Sequence, residues 1–377
     1  MILFSIAVAV YNVAQYLRPC VDSICKQLAD DVELLLIDDG STDCSGKICD
    51  AYARKDDRIR VIHQVNSGLS TVRNVSIQQA KGKWIVFVDG DDVLTDDALQ
   101  IMRNYADQED ELIVFASGRF TDEFLPQPMS ASGEGRCLSQ DEIKDYRLGI
   151  LDGKRQKKLP CTLNSPSVWG KMWNLSYLQN SGIWFRRELK SAQDVQYCFA
   201  ISREMKRIRI VDRCVYGYRI NPDSITLRFS EDAADYYSLL INSIKEDMKK
   251  CGELDSKDFL QAFRESTVLY FEATMIRSFQ HPDCTWNHAE RIRRLREFRS
   301  MTWVQEALAY AVQKNILNTS LRLAWEQKYR SLEQYCNRKR MRYRFVRWLN
   351  RSVWGQRFVT WYSKRKKEIR DAWNRQK

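Results

Sequence analysis

Asp89, Asp91 and Asp92 crowd three carboxylates into the last four residues of the segment 84–92, WIVFVDGDD. Two carboxylates about 4 Å apart repel by roughly 4 kcal/mol at an effective dielectric near 20, so such a cluster calls for a counter-charge. A divalent cation supplies one. Hard cations take oxygen ligands, and Mg²⁺ or Mn²⁺ uses one or two carboxylates while substrate phosphates fill the remaining positions. Gly90 lets the backbone turn sharply and a ligand approach. For an isolated DxDD the alternative is a solvated acidic turn capping the next helix, and the surrounding chain decides between the two.

Such a cluster needs a rigid strand before it. The four bulky apolar residues 85–88 suit a strand buried on both faces, as in a parallel sheet covered by helices. The same pattern occurs upstream. Residues 5–10 read as a strand, and Val13, Leu17, Val21 and Ile24 fall at helical spacing. A second apolar strand, 32–37, ends in Asp38, Asp39, Gly40, Ser41, Thr42 and Asp43, which are loop formers and helix caps. A helix to about residue 54, a strand 59–63, a loop 64–68 and a helix 69–80 follow, with the opening segment as fourth strand and 112–116 as the next. This alternation predicts an α/β fold, a doubly wound, mostly parallel sheet with ligands outside the carboxyl ends of its strands. Asp38 and Asp39, His63 and Gln64, and Asp89 to Asp92 then converge on one edge. His63 reads as a strand-end packing residue and not as a metal ligand.

Residues 122–165 are rich in Gly, Pro, Ser and charge and read as a mobile excursion near the site, apart from a helix opened by the capping box Ser139 to Glu142. Residues 168–178 carry a helix-like pattern, 192–205 a helix with Gln193 and Asp194 in its first turn, and 208–218 a strand leading into Arg219 and a turn at Asn221, Pro222 and Asp223. After about residue 229 only helices are expected. The chain therefore divides into a catalytic domain, 1–229, a helical domain, 230–337, and a basic aromatic tail, 338–377.

The ordered segments SIAVAVYN, LLLIDDGSTDCSG, RIRVIHQVNSGLSTVRN and GKWIVFVDGDD, with a later QD helix and a YRINPDSIT turn, resemble the nucleotide-diphospho-sugar domain of glycosyltransferase family 2, the inverting GT-A type. The resemblance covers the chain to about residue 227. It implies that Tyr11 lines the base and that Asp39 accepts from the base's imide N–H, which selects a uracil-type donor. It also implies that Arg73 reaches the nucleotide or its phosphates, that Asp89 contacts the ribose, and that Asp91 binds the Mn²⁺ or Mg²⁺ bridging the diphosphate. Asp194 takes the place of the general base; the plain alternative is a carboxylate favoured by the helix dipole. Two positions depart from the pattern: Ser67-Gly68 replaces the usual Gly pair, and Gln193 replaces the usual acidic residue before the base. The implied reaction is a single in-line displacement that inverts the anomeric centre, from a UDP-hexose or UDP-N-acetylhexosamine to a hydroxyl of a glycan or lipid-linked acceptor, in bacterial surface polysaccharide synthesis. Trp169, Trp173 and Trp184 either line the acceptor sugar or pack in the core.

The chain has 377 residues, 44% hydrophobic and 29% charged, which excludes wholesale disorder and allows about two domains. Its eleven cysteines, an odd number without a CxxC pair, read as reduced cytosolic thiols. Residues 1–10 lack the features of a signal peptide and are too short to cross a bilayer. The net charge of +11 is concentrated at the end: residues 338–377 carry fifteen Lys or Arg against Glu368 and Asp371, a net of +13, leaving −2 for the rest. With Phe345, Trp348, Leu349, Phe358, Trp361 and Tyr362 at helical spacing, this tail reads as an interfacial helix on the inner face of an anionic membrane, or equally as a helix packed on its own protein. A nucleotidyltransferase needs a Gly- and Lys/Arg-rich loop after the first strand, where Tyr11-Asn12-Val13-Ala14 stands instead. A nucleic-acid-binding role, suggested by a pI near 9.1, conflicts with the acidic strand ends, and no nucleic-acid partner is expected.

Overall fold

A computed structural model describes residues 1–121, 135–152, 166–220 and 228–351. The expected turn at Asn221, Pro222 and Asp223, most of the excursion 122–165, and Phe358, Trp361 and Tyr362 lie outside the described residues. The chain forms two compact units, one of Met1–Ser224 with Ser238–Ser266 and one of Ile225–Tyr237 with Thr267–Lys377. The helical stretch after residue 229 is thus shared between them.

The first unit is built on a nine-stranded sheet in the order β3-β2-β1-β4-β8-β6-β9-β5, with β7 paired to β9. Its strands are β1 (Phe4–Val10), β2 (Val32–Asp38), β3 (Ile59–His63), β4 (Trp84–Asp89), β5 (Val93–Leu94), β6 (Leu112–Phe120), β7 (Arg136–Cys137), β8 (Lys171–Asn174) and β9 (Ile208–Arg219). The first four are mutually parallel, and β6 runs parallel to β9. Helices α1 (Ala14–Cys25), α2 (Ser45–Ala53), α3 (Leu69–Gln79), α4 (Ala98–Arg103), α5 (Gln140–Leu151), α6 (Leu175–Asn180) and α7 (Gln193–Ile201) join them. β2 is buried at every residue, as its apolar run requires of a strand covered on both faces. Phe4, Ile6, Leu17, Leu34, Leu36, Trp84, Val86 and Met172 form part of the resulting core. Full burial of one such side chain contributes about 1.5–3 kcal/mol.

The stretch 168–178, expected to be helical, divides instead into β8 and α6. Gly170, at φ +69°, breaks the helical path ahead of β8. β8 lies antiparallel between β4 and β6, pairing Trp173 with Ile85 and with Leu112, and so satisfies two strand edges that would otherwise be left unbonded. Asn174 then caps α6 by accepting from the Tyr177 N–H at 3.0 Å. The capping box at Ser139 is formed as expected, with the Ser139 and Glu142 side chains each accepting from the other's backbone N–H.

Beyond the sheet the described residues are helical: α8 (Ala233–Lys250), α9 (Lys257–Thr274), a π-helical turn (Met275–Phe279), α10 (His288–Ser300), α11 (Thr302–Gln313), α12 (Thr319–Trp325) and α13 (Tyr329–Arg351). Within the second unit Phe271, Phe279, Phe298 and Trp303 share an aromatic core, and the buried Glu333 of α13 pairs with Arg291 of α10 at 2.7 Å. α13 is continuous across residue 338, so the expected tail begins inside a packed helix. Among the described residues no helix is long and apolar enough to cross a membrane.

Candidate active site

Register brings the site together. In the parallel ladder Val10 faces Asp38, Ala9 faces Asp89, and Asp38 faces His63, so the carboxyl ends of β1, β2, β3 and β4 end side by side. The loops after β1 and β2 interlock. Asn12, in the left-handed region at φ 52°, accepts through Oδ1 from the Thr42 and Asp43 N–H groups at 2.8 and 3.3 Å. Asp43 in turn accepts from the Ala14 N–H at 3.0 Å, giving the first turn of α1 the carboxylate its own sequence lacks. Tyr11 stands at this junction, 45% exposed.

The two aspartates that end β2 do different work. Asp38 is buried and accepts from the Ser41 N–H at 3.1 Å, while its other oxygen meets His63 Nδ1 at 2.8 Å. His63 Nε2 meets Asp50 at 3.0 Å. Asp39, only 3% exposed, accepts from Gln64 Nε2 at 2.6 Å and from the Ser67 and Gly68 N–H groups at 2.9 Å each. Because Ser67 contributes its backbone, its departure from the family's Gly pair leaves this clamp intact. A carboxylate offers about four acceptor positions, so Asp39 retains capacity for one further donor.

At the end of β4, Gly90 donates to Ala9 O at 3.0 Å, and a Cβ there would lie 2.7 Å from that oxygen. No other residue fits. Asp92 is fully buried and accepts from the Tyr216 hydroxyl at 2.6 Å and the Arg219 N–H at 2.8 Å. Burial, with the charges of Asp89 and Asp91, pushes its carboxyl up to about 8. Tyr216 also accepts from the Asp89 N–H at 3.2 Å, and Arg219 Nε donates to Asp91 O at 2.7 Å. Asp92 thus ties the acidic corner to β9. Tyr216 and the bracing part played by Arg219 had no signal in sequence spacing, since their partners are more than 120 residues away.

Asp89 and Asp91 remain as oxygen donors for a cation. Burial and then the charge of Asp89 raise the Asp91 carboxyl, as expected where negative groups lack a counter-charge. Among the described residues no three His, Cys, Asp or Glu side chains are disposed to hold an ion by themselves. A donor set of one or two carboxylates fits Mg²⁺ or Mn²⁺ completed by diphosphate and water.

Asp194 reaches the same corner from the first turn of α7, after Ala192 in the left-handed region at φ 55°. Arg73 of α3, nearly fully buried, donates through Nη1 to Asp194 Oδ1 and through Nη2 to Asp89 at 3.4 Å. Asp194 Oδ2 is also 3.4 Å from the Val168 N–H. Five of the sequence-named residues therefore fall into two groups: Arg73 joins Asp89 and Asp194 beside Asp91, and Asp39 sits at the end of β2, separated from β4 by β1. Trp169 stacks on Tyr216 at 4.8 Å and on Tyr218 at 5.4 Å, beside the corner. Trp173 is a core residue that donates to Val168 O at 2.9 Å. Trp184 lies elsewhere, 36% exposed.

A mostly parallel sheet with its carboxylates gathered in this way defines a GT-A-type glycosyltransferase. The same fold is seen in S. aureus TarS 1-349 in complex with UDP-GlcNAc, with a TM-score of 0.59 and 20% identity over 89% of this chain and 92% of that one. The chain belongs to glycosyl transferase family 2, whose family model matches residues 5–204. Its relatives include the uncharacterized glycosyltransferase EpsJ of Bacillus subtilis, 32% identical over 229 residues, 59% of this chain. The chain spans about 63% of the length of EpsJ. The poly(ribitol-phosphate) beta-glucosyltransferase of Bacillus spizizenii is 28% identical over 58% of this chain and 32% of its own.

Proposed function

We propose that this chain moves a hexose or N-acetylhexosamine from a UDP-sugar to a hydroxyl of a glycan or lipid-linked acceptor, with inversion, in the synthesis of a bacterial surface polysaccharide. The observation that carries this reading is the buried Arg73 joining Asp89 to Asp194, which sets a partly exposed carboxylate beside the acidic end of β4. Tyr11 lines the uracil, and Asp39 accepts from its imide N–H with the acceptor capacity left over from its backbone clamp. Asp89 meets the ribose. Asp91 would hold Mn²⁺ or Mg²⁺, which when bound would offset negative charge on the UDP leaving group. Asp194 takes the proton from the attacking acceptor hydroxyl, and Arg73 holds its carboxylate in place. The bound names of relatives support the substrate class: one is a poly(ribitol-phosphate) glucosyltransferase and one solved neighbour holds UDP-GlcNAc. In this reading the protein works at the inner face of the cell membrane, held by the basic aromatic end of the chain. The test is a panel of UDP- and GDP-sugars in thermal unfolding with Mn²⁺ and with EDTA. UDP-sugars should stabilise only with metal; stabilisation by GDP-sugars alone overturns the donor assignment.

A further inference from the structure

Helix α7 has a second face. Gln196, Phe199 and Ala200, at i, i+3 and i+4, and Arg203 of the 3-10 turn Ser202–Glu204 that follows line a cavity of about 240 Å³. Gln196 is roughly 200° around the helix from Asp194, so this cavity lies across the helix from the catalytic corner. Arg147, Trp184 and Glu253 complete its wall, and every lining residue belongs to the unit that holds the sheet.

The charges in the wall are already matched. Arg147 pairs with Glu253 at 2.5 Å, Arg186 with Asp247 at 2.7 Å, and Arg203 Nη1 donates to Cys251 Sγ at 2.7 Å. Gln196 Nε2 donates to Asp247 at 2.7 Å. Three buried polar atoms nevertheless have no partner: Arg147 Nε, Gln196 Oε1 and Glu253 Oε2. Buried polar groups are ordinarily hydrogen-bonded, so three such atoms in the wall of one cavity offer partners to a polar molecule bound there. They comprise one donor and two acceptors. A sugar hydroxyl both donates and accepts and can meet both kinds. A phosphate dianion, in contrast, offers only acceptors and leaves Gln196 Oε1 and Glu253 Oε2 unmet, although Arg147, Arg186, Arg203 and Lys250 outnumber the two carboxylates of the wall, which is why inorganic phosphate is a control below. Trp184 adds an exposed indole for the apolar face of a ring.

We propose that this cavity is a saccharide subsite, separate from the nucleotide corner, that takes a hydroxylated ring of the acceptor chain. Assigning the ring to the acceptor rests on the transferase reading above; the binding itself does not. A polymeric acceptor would then contact both faces of α7, one sugar at Asp194 and another at Gln196.

The test is saturation-transfer NMR on the full chain with Mg²⁺ and saturating UDP, using the methyl β-glycosides of glucose, galactose and N-acetylglucosamine as probes. At least one should receive saturation in the presence of UDP. Trp184→Ala should weaken that binding by roughly two- to tenfold, as for loss of one aromatic contact. Ala200→Phe, which fills the cavity, should abolish it. Both variants should bind UDP as the parent does, which also reports that they fold. Absence of transfer from all three glycosides, displacement by UDP or by inorganic phosphate, or equal binding in both variants overturns the subsite. Failure of the transferase reading would show separately, as a wild-type chain that does not bind UDP.

Discussion

Arg73 and Asp194, 121 residues apart in sequence, form an ion pair in which the guanidinium is almost wholly buried and the carboxylate keeps 19% of its side-chain surface. The same guanidinium holds Asp89. Arg73→Ala leaves two carboxylates facing each other at the corner without their shared cation. Breaking a buried pair costs about 3–5 kcal/mol, and partial exposure of both acids puts this case toward the low end. Urea unfolding should show that loss, and a smaller one when Arg73→Ala is made on an Asp194→Asn background. An Arg73→Ala protein as stable as the parent would remove the bridge from the fold's support.

Asp194→Asn separates binding from transfer. The amide keeps the size of the carboxylate but cannot take a proton, so UDP affinity should hold while turnover falls by about 10²- to 10⁴-fold. A variant that keeps most of its transfer rate takes Asp194 out of the mechanism.

Asp91→Ala addresses the cation. Calorimetric titration of UDP into the parent should show binding with Mn²⁺ that EDTA removes, and the variant should show neither. Asp92→Asn serves as the contrast, because that side chain is held by Tyr216 and the Arg219 backbone. It should lower stability and leave the metal dependence in place. Equal UDP affinity of the parent in Mn²⁺ and in EDTA would remove the metal role.

The parallel half of the sheet and its acidic ends were legible because each signal is local: an apolar run buried on both faces, followed directly by carboxylates and loop formers. β8 was not legible, because KMWN is strand-like only once β4 and β6 offer it two edges. The same holds within the site. Asp194 could be placed on a helix start, but its partner Arg73 could not be known, since that pairing depends on how α3 and α7 meet across the sheet. Asp92 read as part of the carboxylate cluster without a role of its own, and only the placement of Tyr216 and Arg219 of β9 beside it shows that it braces the corner.

His63 supplies a pH dependence. Its imidazole is held above the usual histidine value by the hydrogen bonds with Asp50 and then Asp38. A raised value in the folded state means that the protonated ring stabilises the fold. That contribution is complete below the unfolded value, near pH 6.5, and is lost as pH rises through the folded one. His63→Gln should therefore cost more stability at about pH 6 than at about pH 9, by less than about 1 kcal/mol because the ring is half exposed. A difference that grows with rising pH contradicts the pairing.

The last helix offers a test of the proposed membrane attachment. On its described part Met341 and Phe345, one helical turn apart, are each 55% exposed among Arg338, Lys339, Arg342, Arg344 and Arg347. The inner part of the same helix is packed: Cys336 and Arg340 are buried, and Arg347 pairs with Asp283 within the second unit. Attachment through the exposed Met341 and Phe345 would leave the packing of Cys336, Arg340 and the Arg347–Asp283 pair in place. Each Lys or Arg close to an anionic surface contributes on the order of 1 kcal/mol, so a few suffice for reversible attachment without a span. Full-length protein should pellet with phosphatidylserine-containing vesicles, stay in solution with phosphatidylcholine alone, and be released by high salt. Met341→Ser with Phe345→Ser should weaken pelleting, and Met341→Ser alone should do so at unchanged thermal stability, because that side chain lies outside the core. Indifference of the parent to anionic vesicles, or pelleting that survives high salt, removes electrostatic attachment through this helix.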